Sequence, residues 1–193
     1  MPSREAARQG TTPSDTERLA FERVRTGDAA AFETLVRMHA ASLASFARAY
    51  VDDAAVAEEL VQDLFCGLWE HRFDAPLPRS VRAYLFGSLR NRALNHLRHE
   101  RVTIEFEAAV ARSRNIGAPP ADDDFLATDL RDALRRTVHE MPVRCREVFT
   151  LVRDEHLTFA EVAEVLGVSP RTAEIHMSRA LNLLRTRLAP WLG

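Results

Sequence analysis

The sequence predicts an all-α fold, two small helical domains joined by a flexible linker. Three observations carry that prediction. Apolar residues recur at three- and four-residue steps through most of the chain, the period of a helix with one buried face. Glycine is sparse, 7 in 193 residues, while Leu, Ala, Arg and Glu are plentiful, a composition that suits helices. One central stretch sustains no period and gathers Gly117, Pro119, Pro120 and the acidic run Asp122, Asp123 and Asp124. The expected boundaries are a disordered lead over 1–15, a first domain over 16–100, the linker over 101–124 and a second domain over 125–193.

Composition removes several classes of function. An apolar share of 46% is enough for real cores, and a net charge of −2 argues against a generally sticky polycation while leaving room for local basic surfaces. Cys66 and Cys145 lie far apart in helical patterns and form neither a disulfide framework nor a metal-binding spacing. Two buried thiols in a reducing compartment are the expectation. No run of 18 apolar residues exists and the N-terminal stretch has no apolar core, so neither a membrane span nor a signal peptide is expected, and the location is cytoplasmic. The seven histidines are scattered, and there is no phosphate-binding loop, dinucleotide fingerprint or nucleophile elbow. No enzyme activity, catalytic residue, cofactor or metal is expected.

The first domain opens with a short helix over 16–26 carrying Leu19, Phe21 and Val24. Asp28 caps the next, in which Phe32, Leu35, Val36, Leu43, Phe46, Ala47 and Tyr50 trace a buried face. Asp52 or Asp53 then caps a helix over 54–71 whose inward stripe is Val56, Leu60, Leu64 and Leu68. The rest of that segment is one-signed: Asp52, Asp53, Glu58, Glu59, Asp63 and Glu70, with no Lys or Arg. Phe65 and Trp69 stand among the acids and are expected to be partly exposed. Such a face repels phosphate and suits a basic or mixed protein surface. Residues 73–79, F-D-A-P-L-P-R, break the helical pattern. Ser80 caps the following helix, and there the charge reverses. Arg79, Arg82, Arg90, Arg92, Arg98 and Arg101 stand against Glu100 alone, with Tyr84, Phe86, Asn91, Asn95 and His96 interleaved. Arginines hold phosphates while aromatics and amides meet bases. Gly87, within this helix, permits close approach of another element.

Beyond the linker, Phe125, Leu126, Leu130, Leu134 and Val138 make one amphipathic helix, and Pro142 starts another carrying Val143, Val148, Phe149, Leu151 and Val152. Residues 157–188 then give the sequence form of a helix-turn-helix. Thr158 and Glu161 have capping-box spacing, Gly167 ends the first helix, and Ser169 with Pro170 opens the second. The second helix of such a motif enters a DNA major groove. Arg171, Thr172, Glu174, His176, Ser178, Arg179 and Asn182 are the candidates to face it, with Ile175, Leu181 and Leu184 packing inward. Four arginines against Glu174 make this helix basic over 170–188. Trp191 is expected to close the core.

Two segments carry a resemblance. A-E-E-L-V-Q-D-L-F-C-G-L-W over 57–69 closely resembles region 2.2 of bacterial sigma-70 family factors, and M-P-V-R-C-R-E-V-F-T-L over 141–151 resembles the start of their region 4, with Met141 where a leucine is usual. Together, in this order and spacing, they resemble the small extracytoplasmic-function group, which keeps regions 2 and 4. The resemblance implies a factor that binds core RNA polymerase through its clamp helices and flap, and promoter DNA at two elements, with an anti-sigma factor as a further partner. Asp53, Glu58, Glu59, Gln62, Asp63, Phe65 and Trp69 would dock on the polymerase. The 73–79 loop and the helix after it would capture a flipped base of the −10 element, with Arg79, Arg82, Tyr84, Arg90, Asn91, Asn95 and Arg98 as candidates. The A-P-L-P sequence departs from the more polar loop of the family. Arg171, Thr172, Glu174, His176 and Arg179 would read the −35 element. The alternative is a regulator that acts without polymerase, because S-P-R-T-A-E-I-H-M-S-R-A-L also resembles the final helix of LuxR-type proteins.

Overall fold

The computed structural model describes residues 13–51, 53–111 and 130–192. Among these residues every regular element is a helix, in the order α1 (Pro13–Val24), α2 (Ala29–Ala47), α3 (Ala54–Glu70), α4 (Val81–Ala111), α5 (Leu130–His139), α6 (Val143–Arg153), α7 (Phe159–Leu166) and α8 (Pro170–Leu192). Local chemistry sets most of the starts. The Asp28 carboxylate accepts the Ala31 N–H at 3.0 Å, and Asp53 accepts that of Ala55 at 2.7 Å. Each satisfies an amide that a first turn leaves without a partner. The Ala31 bond, then Arg23, holds Asp28 below the usual carboxylate range. Asp53 is therefore the cap of α3, and Asp52 lies outside the described residues. Ser80 Oγ accepts the Ala83 N–H at 3.2 Å at the head of α4.

Helices α1 to α4 close around Phe21, Leu35, Leu43, Phe46, Leu85, Phe86 and Leu89, none of which reaches solvent. Phe46 and Phe86 meet edge to face with centroids 5.2 Å apart, a favoured aromatic arrangement. Helices α5, α6 and α7 gather on α8, with Met141, Cys145 and Ala180 in a smaller core. The two helical units do not stand apart. Helix α7 lies across α4, and the larger core runs on into Val148, Leu151, Val162, Val165 and Met177. Gly87 marks the crossing, since a Cβ there would sit 3.8 Å from the Val165 Cα. A methyl there would already be in van der Waals contact with the α7 backbone.

Several details differ from the sequence expectations. Helix α4 continues to Ala111, over residues assigned to the linker. Glu105, Glu107, Ala108, Ala109 and Ala111 are good helix formers, so propensity carries the helix on where the apolar period has lapsed. The expected lead loses its last residues to α1, which starts at Pro13, and Phe125 and Leu126 lie outside the described residues. Ile175 and Leu181 are exposed at 41% and 42% rather than turned inward. The buried stripe of α8 is instead Ala173, Met177, Ala180 and Leu188, whose two alanines let neighbouring helices come close. Leu184 does pack inward, against Met141, Cys145 and Ala180. Trp191 is exposed and closes no core.

Candidate functional site

On α3, Glu58, Glu59, Gln62 and Asp63 are all exposed, and their spacing puts them on one side of the helix. Cys66 and Glu70 continue that side, and Asp53 is exposed at the helix start with its carboxylate engaged in the cap. Phe65 is not part of this surface. It is 5% exposed and packs edge-on to Phe32, so it supports the acidic face from beneath. Trp69 is half-buried, 5.0 Å from Phe32. The Arg72 guanidinium stands 4.2 Å from the Trp69 ring centroid and 4.3 Å from that of Phe73, a cation–π stack that pins the turn after α3. Phe73 itself is 60% exposed, an uncovered aromatic at the mouth of the loop. It was not singled out from sequence, although it belongs to no helical stripe and borders two prolines.

Helix α4 divides its polar residues among three surroundings. Toward α3, the Arg92 guanidinium rests on the backbone of Gly67, where a Cβ would come within 2.5 Å of its Nη2. Beside it lies a cleft of about 310 Å³ bordered by His71, Asp74, Pro76, Tyr84, Ser88 and Arg92. Tyr84 also meets Phe21 edge-on at 5.5 Å. Arg82 bridges two sides, its Nε donating to Glu17 Oε1 on α1 at 2.9 Å and its Nη1 to the Glu155 carbonyl between α6 and α7 at 2.6 Å. Toward α6, Arg90 is buried, its Nε donating to Glu147 Oε1 at 2.9 Å. Toward solvent stand Asn91, Asn95 and Arg98, with Arg79 exposed in the loop. The Arg98 Nη1 donates to Asn95 Oδ1 at 2.6 Å.

The helix-turn-helix follows from its caps. Thr158 Oγ1 accepts the Glu161 N–H at 3.3 Å while Glu161 Oε2 accepts the Thr158 N–H at 2.8 Å. Gly167 takes φ 65°, a left-handed conformation that costs glycine little, and ends α7. Ser169 Oγ accepts the Thr172 N–H at 3.1 Å and starts α8. Arg171 and Arg179 are exposed, and Arg171 pairs with Glu174 at 3.2 Å. Thr172 is half-buried by its capping contact. His176 is half-buried and turned sideways, 3.9 Å from the Cys145 Sγ, where the two border an apolar groove between α6 and α8. Burial pushes the Cys145 thiol up, against the opposing charge of Arg179. Ile175, like Leu181, faces outward rather than into the core. It lies in a shallow concavity on the outer face of α8 with Arg171, Glu174, Ser178, Arg179 and Asn182. Stepping from Ala173 to Met177 to Ala180 as the buried stripe leaves Ile175 on the opposite side.

A helix with an acidic exposed side, an arginine-bearing helix after it and a helix-turn-helix thus occur in one chain. Its first half matches the family model for Sigma-70 region 2 over residues 35–103, and its second half matches Sigma-70, region 4, over residues 131–184. The chain belongs to the sigma-70 family. Among relatives of this sigma factor, the RNA polymerase sigma factor CarQ of Myxococcus xanthus is 28% identical over 168 residues, covering 87% of this chain and 95% of CarQ. The RNA polymerase sigma factor CnrH of Cupriavidus metallidurans is 27% identical over 180 residues, 87% of this chain and 92% of CnrH. The ECF RNA polymerase sigma factor SigL of Mycobacterium tuberculosis is 27% identical, over 83% of this chain and 90% of SigL. A solved structure of CnrH in complex with the cytosolic domain of CnrY superposes with a TM-score of 0.64 at 26% identity, covering 91% of this chain and 99% of that one. The protein is a sigma factor of the extracytoplasmic-function group that directs RNA polymerase to promoters to start transcription. Neither family match points to a LuxR-type regulator. Among the described residues no helix is long and apolar enough to cross a membrane, and no cluster of three His, Cys, Asp or Glu could hold a metal ion.

Proposed function

We propose that this sigma factor divides its work among three surfaces, within boundaries close to 16–100 for the polymerase- and −10-binding unit and 125–193 for the −35-binding unit. The exposed acids of α3, with Gln62 and the edge of Trp69, dock on the clamp helices of core polymerase. Asp53 contributes by starting that helix and Phe65 by backing it. The loop after α3 and the cleft beside Tyr84 and Arg92 receive an unstacked base of the −10 element, with Phe73 offering a ring for it to stack on. Arg79, Asn91, Asn95 and Arg98 follow the duplex and parted strand. Helix α8 reads the −35 element with Arg171, Glu174 and Arg179, while Thr172 and His176 flank the contact. Ile175 joins them as an apolar contact for a thymine methyl group. The apolar groove between α6 and α8 suits the polymerase flap. The CnrH structure, in which a sigma factor is held by the cytosolic domain of CnrY, supports an anti-sigma partner for this chain also. The factor acts in the cytoplasm, and its role is recruitment and strand capture rather than catalysis.

The observation that carries this reading is the separation of charge. The exposed side of α3 holds Glu58, Glu59, Gln62, Asp63 and Glu70 and no cation, while Arg79, Arg98, Arg171, Arg179, Arg185 and Arg187 stand exposed in the loop before α4, on α4 and on α8. That arrangement suits a chain with a protein partner on one side and nucleic acid on the other. Transcription in vitro over a promoter library, with purified core polymerase and this chain, tests it. Defined start sites that depend on the chain are expected; an absence of starts at every promoter rejects the reading.

A further inference from the structure

The turn after α3 sets one cation against two aromatic rings. The Arg72 guanidinium stands over Trp69 at 4.2 Å and over Phe73 at 4.3 Å, and Trp69 in turn meets Phe32 at 5.0 Å. Arg72 Nη1 donates to the Trp69 carbonyl, which ties the guanidinium to the end of α3. Its Nε is buried and has no hydrogen-bond partner among the described residues, so the rings beside it hold that side of the group. Both Arg72 and Phe73 lie beside the turn between α1 and α2. A Cβ on Gly27 would be 3.7 Å from Phe73 Cζ and 3.9 Å from Arg72 Nε. That turn is closed by the Asp28 N–H on the Arg23 carbonyl at 3.1 Å and by the Arg23–Asp28 ion pair at 2.6 Å. Phe73 nevertheless stays 60% exposed.

An uncovered phenyl ring on a loop ordinarily samples several rotamers, and fixing it at the moment of binding subtracts from affinity. A guanidinium can remove that cost. It is planar and weakly hydrated, so it packs against rings while its edge still donates hydrogen bonds. A cation within about 6 Å of a ring centroid is also drawn to the face of the ring. Arg72 meets that condition at both Trp69 and Phe73. The Phe73 ring is therefore held in place without being covered.

We propose that Arg72 is a positioning residue for strand capture: set over both Trp69 and Phe73, it presents the Phe73 ring to an unstacked base of the opened −10 strand. The proposal rests on the reading of Phe73 as a stacking surface. The role needs a flat cation with a hydrogen-bonding edge, not positive charge alone, and it keeps Arg72 off the phosphates. It also joins two duties at the end of α3. The edge of Trp69 meets polymerase, while its ring anchors the group that sets the capturing aromatic.

Fluorescence of a base analogue tests this. Core polymerase saturated with the full chain would bind forked promoter DNA carrying 2-aminopurine at each unpaired −10 position in turn, and stacking on an aromatic ring reads as quenching. The parent should quench at one position. Arg72→Leu and Arg72→Lys should both lose most of that quenching and bind the fork several-fold more weakly, with the slope of log affinity against log salt unchanged. Parental quenching by either variant overturns the proposal, and Arg72→Lys decides alone if Arg72→Leu fails to fold. A slope shallower by about 0.7, the loss of one phosphate contact on a single strand, also overturns it, because Arg72 would then hold DNA directly. The stack can be read without DNA as well. The chain has two tryptophans, so Trp191→Phe leaves Trp69 as the one indole. Its emission should change when Arg72→Leu is added, and an identical spectrum overturns the proposal. If Phe73→Leu quenches like the parent, or the parent quenches at no position, the stacking reading of Phe73 falls instead.

Discussion

Gly67 has no side chain, and the Arg92 guanidinium occupies the space where one would begin. At the residue scale this makes the placement of one cation depend on a missing methyl. Gly67→Ala should displace Arg92 from the cleft beside Tyr84 while improving the intrinsic helix propensity of α3 by about 1 kcal/mol. The expected signature is an unchanged or raised melting temperature with reduced permanganate reactivity at the −10 element. A variant that opens promoters like the parent would show that Arg92 has no part in strand capture. Ile175 allows a similar test on α8. Replacing it by alanine should lower the preference for thymine at the contacted −35 position, by about 1 kcal/mol or less for an apolar contact weaker than a bidentate pair. Binding competition between operators with thymine and uracil at that position measures the methyl contribution directly; parallel losses for both bases would remove Ile175 from readout.

At the scale of elements, α3 is a surface with one charge sign supported by an aromatic layer. Glu59→Ala combined with Asp63→Ala should weaken core-polymerase binding, and the loss should shrink as salt rises, because screening already weakens exposed charges in the parent. Equal affinity of parent and variant at low salt would reject α3 as the docking helix. The starts of α2, α3, α4, α7 and α8 were legible from sequence because a cap acts over two or three residues. Asp28, Asp53, Ser80, Thr158 with Glu161, and Ser169 each bond within that range. The facing of α8 was less legible, since a stripe built partly from alanines gives a weak apolar signal beside the larger Ile175 and Leu181. The Arg90–Glu147 and Tyr50–Glu147 bonds could not be read at all. They join residues 57 and 97 positions apart, and nothing local in α4 marks Arg90 for burial while leaving Asn91 exposed. The left-handed His156, at φ 56°, is likewise set by how α6 turns into α7 rather than by its own chemistry.

At the scale of the whole molecule, stability is tied to pH through His39. It is buried between Glu17, 3.8 Å away, and the positive field of Arg82. Burial lowers its pKa below the ordinary 6.5; the Glu17 charge opposes that shift and Arg82 adds to it. The unfolded chain therefore binds the proton first as pH falls. The contribution is fully present above about pH 6.5 and is lost as pH drops through the folded-state value. Thermal unfolding followed between about pH 8 and pH 5 should steepen toward acid, and His39→Gln should flatten the curve. Glu155, raised chiefly by burial, works in the opposite sense, so the comparison of parent with variant decides, not the parental slope alone. Identical slopes would show that His39 protonates alike in both states. The joint between the halves has an optical consequence as well. Tyr50 is one of only two tyrosines, and its hydroxyl is bonded to a carboxylate across that joint. Burial, then the Glu147 charge, pushes its ionisation far above the ordinary phenol range. Phenolate absorbance from Tyr50 should therefore be missing near the usual tyrosine pKa of about 10 while that bond holds and appear there when the two halves separate, an inbuilt gauge that needs no label.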